Sequence, residues 1–95
     1  MTEAELERKM RGLIKARGGI FYKFISPGNP GVPDRIVITP AGEVWFVEIK
    51  TDKGRLTTLQ QHQISLLERQ GAKVRVVYGW DAARDFVGEV LPSGI

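Results

Sequence analysis

The sequence predicts an α/β fold, in which a mixed β-sheet is flanked by helices in the order α-β-β-β-α-β-α. Two observations predict it. Apolar residues recur at helical spacing in three segments, and short runs rich in branched and aromatic residues lie between them, bounded by glycine and proline. The chain has 95 residues, of which 42% are hydrophobic and 26% charged. These values are ordinary for one compact unit, so we expect a single domain over residues 1–95.

An amphipathic helix is predicted first, over residues 3–17. Its acidic residues come early, its basic residues come late, and Gly18 and Gly19 follow as a stop signal. The apolar residues at helical spacing are Leu6, Met10, Leu13 and Ile14.

Three strands are predicted next, over residues 20–25, 34–39 and 43–50. The first strand ends in a loop with three prolines and two glycines, which cannot continue it. The other two carry apolar residues on both faces, as expected for a sheet that is covered on both sides.

The second half of the chain predicts a helix, a strand and a short helix, over residues 57–71, 73–79 and 80–87. Thr57 or Thr58 can cap the longer helix, and its glycine at position 71 ends it. The apolar contacts of that helix are expected from Leu59, Ile64, Leu66 and Leu67.

The connection between the second and third strands predicts their register. Residues 40–42 are Pro-Ala-Gly, the order that closes a three-residue hairpin loop with a type I turn and a left-handed glycine. Thr39 then faces Glu43. Counting back along the antiparallel pair places Asp34 opposite Glu48, with β-carbons about 4.5–5.5 Å apart.

Lys50 lies two residues beyond Glu48 and therefore projects from the same face of the same strand. Adjacent carboxylates repel each other, which raises the pKa of one of them unless a cation intervenes. The group favours an oxygen-ligand site for Mg²⁺ or Mn²⁺. In the competing interpretation, Glu48 and Lys50 form a surface ion pair and Asp34 caps the turn at Pro33.

Composition narrows the class of protein. The chain has no cysteine, which excludes disulfides and thiolate metal sites. No segment is apolar enough to span a membrane and the N-terminus is unlike a signal peptide, so we expect a cytoplasmic protein. The net charge of +3 is compatible with a polyanionic partner but does not by itself indicate one.

The sole histidine, His62, is expected on the surface. Trp45 and Trp80 could stack on bases, although Trp45 alternates with apolar residues and is expected in the core.

The ordered series GVPDRI, FVEIK, LTTLQQHQ and GAKVRVVYG resembles the VRR-NUC family of the PD-(D/E)XK nuclease superfamily. The likeness runs over about residues 3–87 and is greatest to the stand-alone, phage-type members. The resemblance implies a restriction-endonuclease-like fold and Mg²⁺- or Mn²⁺-dependent hydrolysis of phosphodiester bonds in branched or flapped DNA, including Holliday junctions.

The resemblance also implies roles for particular residues. Asp34 and Glu48 correspond to the metal-binding carboxylates, and the backbone carbonyl of Ile49 is expected to add a ligand. Lys50 corresponds to the motif lysine, and Gln60 matches the glutamine that follows this strand. Near the start of the chain, Glu7 is the candidate for the acid that the family places on its first helix near the metal. Glu3, one turn away, is the rival, and in the competing interpretation Glu7 is an ordinary solvated helix acid.

Four further residues are candidates for DNA contact, although each could instead shape or solvate a loop. They are Lys23, Ser26, Lys53 and Arg55.

Two other functions compete with the nuclease. One is a catalytically silent nucleic-acid-binding or assembly module, although a protein that had lost catalysis would have no reason to keep Asp34, Glu48 and Lys50. The other is a restriction-type endonuclease subunit, although no target-recognition segment is visible.

A homodimer with two active sites is expected, because stand-alone relatives are expected to dimerise and the C-terminal tail carries apolar residues with little of its own to pack on. These residues are Phe86, Val87, Val90, Leu91 and Ile95.

Overall fold

Seven elements follow one another in the computed structural model, which describes residues 1–92. The helices in that range are α1 (Glu3–Ala16), α2 (Thr58–Arg69) and α3 (Gly79–Val90). The strands are β1 (Ile20–Lys23), β2 (Arg35–Ile38), β3 (Val44–Lys50) and β4 (Lys73–Tyr78). Their order confirms the predicted α-β-β-β-α-β-α arrangement.

The strands form a mixed sheet in the order β1-β2-β3-β4. The strands β1 and β3 are both antiparallel to β2, whereas β4 runs parallel to β3. A parallel neighbour requires a crossover, and α2 provides it. None of the helices in residues 1–92 has the length and apolarity that a bilayer crossing requires.

The loop between β2 and β3 has the predicted geometry. Gly42 has a φ of 87°, and its N–H donates to the carbonyl of Thr39 over 2.9 Å. The N–H of Thr39 donates in turn to the carbonyl of Glu43 over 2.9 Å. The ladder then pairs each residue of β2 with its expected partner, ending with Arg35 opposite Val47. The next pair outward is Asp34 and Glu48.

The core lies between one face of the sheet and the two helices α1 and α3. Leu6, Met10 and Ile14 of α1 meet Phe86 and Val87 of α3 there, and all five are at most 1% exposed. The strands contribute Phe21, Val37, Val47, Ile49 and Val77.

The C-terminal apolar residues belong to this core, which corrects the reason given above for a dimer. The helix α3 continues to Val90, beyond its predicted end at residue 87. Phe86, Val87 and Leu91 are therefore buried, and Val90 packs against them. Leu91 lies so close to Gly19 that an added β-carbon there would be 2.8 Å from its side chain. Ile95 lies outside the described residues.

On the second face of the sheet, the helix α2 covers only the edge strand β4. The expectation that both faces are covered is therefore met only in part. Among the helices and strands of residues 1–92, α2 packs on β4 alone. Leu59 and Leu66, which were expected to make apolar contacts, are 45% and 39% exposed. No helix covers the apolar surface of β1, β2 and β3 on this side within residues 1–92, and we call it the open sheet face. It consists of the exposed Ile20, Tyr22 and Val44 and the half-buried Ile36, Ile38 and Phe46.

Candidate active site

Two carboxylates meet where β2 begins and β3 ends. Asp34 directly precedes β2, and Glu48 lies opposite it as the next pair beyond the ladder. Glu48 is only 4% exposed. Burial, followed by the negative charge of Asp34, raises the pKa of Glu48 from 4.5 to about 7, although the ammonium of Lys50 opposes the rise. At neutral pH Glu48 is therefore protonated in a substantial fraction of the molecules unless another cation is bound.

Lys50 lies beside the pair. Its Nζ is 3.9 Å from Oε2 of Glu48, and its side chain is only 15% exposed. A surface ion pair on a fraying strand end, the competing interpretation of these residues, would leave both groups in solvent. Here the lysine supplies a largely buried positive charge next to a buried carboxylate.

Gln60 reaches the same site from the first turn of α2. Thr57 caps this helix, since its hydroxyl accepts from the Gln60 N–H over 3.1 Å. In return, Oε1 of Gln60 accepts from the Thr57 N–H over 2.9 Å. This reciprocal capping leaves Nε2 of Gln60 to donate to Oε2 of Glu48 over 3.4 Å. The cap thus orients the amide toward the carboxylate.

Asp34 presents an oxygen that suits a cation. Its Oδ1 is buried and has no hydrogen-bond partner in residues 1–92. A buried acceptor without a partner is costly, and a hard divalent cation would satisfy it together with the neighbouring carboxylate. Within the described residues, no group of three or more His, Cys, Asp or Glu side chains is already assembled as a metal site. The available ligands are thus the two carboxylates and backbone oxygen such as that of Ile49, which lies between Glu48 and Lys50.

The structure distinguishes the two acids of α1. Oε2 of Glu7 lies 2.6 Å from Nη2 of Arg35, and its Oε1 contacts Arg11. The bond from Arg35 is the main cause that lowers the pKa of Glu7. Glu3, by contrast, contributes negative charge that raises the pKa of Glu48. Glu7 is thus engaged by two arginines, whereas the charge of Glu3 is one of the smaller causes that raise the pKa of Glu48.

The remaining candidates lie around the site or apart from it. Lys23, Lys53 and Arg55 are exposed, the last two in the loop that follows Lys50. Ser26 organises its own loop, because its Oγ accepts from the side chain of Asn29 over 2.9 Å. His62 is exposed on α2, as expected.

Neither tryptophan stands free as a stacking platform. Trp45 packs edge-on against Phe86, with 5.3 Å between ring centroids, which confirms its expected place beside the core. Trp80 is half-buried and lies under the ammonium of Lys9, 4.6 Å from the ring centroid.

Arg35 is the residue that sequence reasoning missed. It follows Asp34 directly and is only 9% exposed. The signal was available, because Arg35 alternates with Val37 on β2 and so points to the core side of the sheet, where a charge requires a partner.

Comparisons with known proteins agree with this geometry. The sequence model of the VRR-NUC domain family matches residues 13–81, a range that includes Asp34, Glu48, Lys50 and Gln60 but neither acid of α1. The chain is also similar to a protein of Acyrthosiphon pisum secondary endosymbiont phage 1 that bears the name "Putative nuclease p44". The two are 38% identical over 93 residues, which cover 98% of this chain and 95% of that protein.

Two solved structures share the fold. One, named "VRR_NUC domain", superposes with a TM-score of 0.83 and 28% identity, and the match covers 90% of this chain and 92% of that one. The other, named "VRR_NUC domain protein", gives a TM-score of 0.75 with 99% and 91% coverage. At 19% identity, this second likeness bears on the fold alone.

Proposed function

The chain belongs to the VRR-NUC domain family, and from that premise we propose that this nuclease hydrolyses phosphodiester bonds of DNA with Mg²⁺ or Mn²⁺ held between Asp34 and Glu48. The observation that carries the proposal is the pair itself. A buried glutamate with a pKa of about 7 faces an aspartate that has a buried, unpartnered oxygen. Such a pair is unfavourable alone and favourable around a divalent cation.

Some residues of the site would bind the cation, and others would stabilise negative charge in the transition state. Asp34, Glu48 and the backbone carbonyl of Ile49 would hold the cation, and Glu3 adds negative charge from α1. When bound, the cation polarises the scissile phosphate and lowers the pKa of a water molecule. Lys50 places its ammonium where charge develops on the phosphate oxygens in the transition state. Gln60 orients Glu48 through its side-chain amide.

The proposed substrate is branched or flapped DNA, with four-way junctions among the candidates, and the proposed assembly is a homodimer with two active sites. The family resemblance supports both. The open sheet face supports the dimer further, because Ile20, Tyr22 and Val44 on it are 40%, 59% and 44% exposed. Apolar side chains that are contiguous on one face are typical of an interface. A two-fold dimer would present symmetric sites to a junction.

A cleavage assay tests the function. Purified protein is incubated with linear, nicked, flapped and four-way-junction DNA in Mg²⁺, in Mn²⁺ and in EDTA. The proposal expects cleavage with either metal and none in chelator, with preference for a branched substrate. Equal cleavage in EDTA would contradict the metal-dependent mechanism. Tight binding of DNA without cleavage of any substrate would instead support the catalytically silent binding module.

A cruciform plasmid tests the paired incision. Two coordinated cuts across a junction linearise the plasmid within one binding event, whereas independent cuts accumulate nicked circles. Linear product without a nicked intermediate supports a junction-resolving dimer. Nicked circles alone would leave a nuclease but contradict the resolving role.

A further inference from the structure

Arg35 is a buried cation whose two terminal nitrogens contact Asp34 and Glu7. Its Nη1 donates to the backbone carbonyl of Asp34 over 2.8 Å and lies 3.4 Å from Oδ2 of the same residue. Its Nη2 lies 2.6 Å from Oε2 of Glu7. A buried guanidinium is unfavourable unless its donors are paired. Both terminal nitrogens of Arg35 have partners, whereas its Nε is buried and has none within residues 1–92. Arg35 therefore joins the helix α1 to the residue that begins β2.

The partner that holds Arg35 is itself fixed in place. Glu7 lies on α1 next to Leu6, which is 1% exposed, and its second carboxylate oxygen contacts Arg11. The guanidinium groups of Arg11 and Arg35 lie 5.5 and 6.0 Å from the ring centroid of Phe21. Cation–π attraction and the shared carboxylate thus hold both arginines against one aromatic ring.

Asp34 needs such support because it follows the proline-rich loop and faces a like charge. Its backbone carbonyl accepts two hydrogen bonds, one from Nη1 of Arg35 and one from the N–H of Phe24 over 2.8 Å. Repulsion from Glu48 would otherwise favour movement of the Asp34 side chain away from the site.

We propose that Glu7 and Arg35 act as a positioning pair, in which Glu7 anchors Arg35 and Arg35 fixes Asp34 in the place from which it binds the cation opposite Glu48. The proposal rests on the proposed metal-dependent function. In it, Glu7 and Arg35 neither contact the substrate nor bind the metal, but position a residue that does. Hydrogen-bonded partners of this kind set the orientation, and hence the affinity, of metal ligands.

Charge alone and positioning lead to opposite expectations for Arg35. Loss of a positive charge near a cation site should strengthen cation binding if only electrostatics matter. Loss of the bonds that fix Asp34 should weaken it. The variant Arg35→Gln therefore separates the two effects, and Glu7→Gln, which removes the anchor but leaves Arg35, tests the other half of the pair.

The experiment measures Mn²⁺ affinity by calorimetry at fixed pH, alongside cleavage of DNA at saturating Mn²⁺. Arg35→Gln and Glu7→Gln should each weaken Mn²⁺ binding by about tenfold. The double variant should lose little more than either single one, because both substitutions break the same linkage. Glu89→Gln is the matched control, since Glu89 forms a two-pronged pair with Arg75 at 2.9 and 3.0 Å elsewhere on the molecule. The control should bind Mn²⁺ as the wild type does.

The outcomes are distinguishable. Wild-type affinity in both single variants, or tighter binding by Arg35→Gln, overturns the positioning role while the proposed function stands. Wild-type protein that neither binds Mn²⁺ nor cleaves DNA overturns both. If Arg35→Gln does not fold, as judged by circular dichroism, Arg35→Lys decides, because lysine keeps the positive charge but lacks the planar fork that contacts Asp34 and Glu7 together. Weaker Mn²⁺ binding by Arg35→Lys supports the positioning role, and wild-type affinity overturns it.

Discussion

Asp34 faces Glu48 across the open end of the β2–β3 ladder, and its negative charge acts with burial to raise the pKa of Glu48 to about 7. In the absence of a cation, this relationship is one of repulsion. The carboxylates are close because the hairpin register and the burial of β3 place them so. The pair therefore reduces the stability of the folded protein whenever both groups are ionised.

The first prediction concerns stability against pH in metal-free protein. The folded pKa of Glu48 lies above its ordinary value of 4.5, so the folded state binds the proton more tightly than the unfolded state. The contribution of Glu48 to stability is complete below pH 4.5 and is lost as the pH rises to about 7. Urea unfolding in EDTA should show this fall, which amounts to roughly 3 kcal/mol if no other group compensates.

Glu48→Gln provides the control for this first prediction, because glutamine has no proton to lose. The variant should lack the fall and should be more stable than the wild type at pH 8. The same slope in both proteins would show that another group, and not Glu48, causes the pH dependence.

The second prediction concerns Lys50→Ala. The ammonium of Lys50 lies at the long distance of 3.9 Å from Glu48, so its removal should leave the fold intact. Cleavage at saturating metal should fall by about 10²–10³-fold, as expected when one charge that stabilises a transition state is removed. Metal affinity should not weaken. Lys15→Ala, which alters an exposed lysine in the last turn of α1, should retain most activity. Loss of helical circular dichroism in Lys50→Ala would indicate a structural ion pair instead.

The third prediction separates the two roles of Gln60. Gln60→Ala removes the side-chain half of the reciprocal cap and the bond to Glu48, so it should cost up to about 1 kcal/mol in stability as well as activity. Gln60→Glu keeps a capping side chain but places a third negative charge against Glu48. This variant should hold the helix, lose activity at neutral pH and recover part of it with added metal. The neighbouring Gln61→Ala serves as a control. Equal activity in Gln60→Glu and wild type would show that Gln60 acts on the helix alone.

The fourth prediction concerns the assembly. Light scattering at micromolar concentration should give twice the monomer mass of 10.6 kDa. Tyr22→Glu and Val44→Glu, on the open sheet face, should each convert the dimer to monomer without unfolding it. Leu66→Glu, which alters an exposed apolar residue on α2, should leave the mass unchanged. A wild-type mass near 10.6 kDa would exclude the dimer, and a dimer that tolerates all three changes would place the interface elsewhere.

The carboxylate pair could be predicted from the sequence because local chemistry determines it. The loop Pro40-Ala41-Gly42 allows one short hairpin geometry, and that geometry fixes the register of every pair up to Asp34 and Glu48. No knowledge of tertiary packing is needed for this step.

The helix acid could not be chosen in this way. Glu3 and Glu7 lie one turn apart on the same helix, and both satisfy the same spacing. The docking of α1 on the sheet brings Glu7 to Arg35, and a role of Glu3 toward Glu48 stays a proposal. That docking depends on the whole core.

The end of the chain was misjudged for a similar reason. The sequence predicted a short helix that ends at residue 87 and a C-terminal tail with little of its own to pack on. In the structure α3 passes through Gly88, because Val87, Val90 and Leu91 all gain apolar contact with the core. Tertiary burial outweighs the low helix propensity of a single glycine.

The most direct test of the Asp34–Glu48 metal site is a calorimetric titration of Mn²⁺ into wild-type protein, Asp34→Asn and Glu48→Gln, repeated at pH 6 and pH 8. We expect the wild type to bind more tightly at pH 8, because the ion must displace the proton that Glu48 holds below a pKa of about 7. Each variant should bind at least tenfold more weakly, and the pH dependence should be lost in Glu48→Gln. Wild-type affinity in either variant would contradict the assignment of these two carboxylates as the metal site.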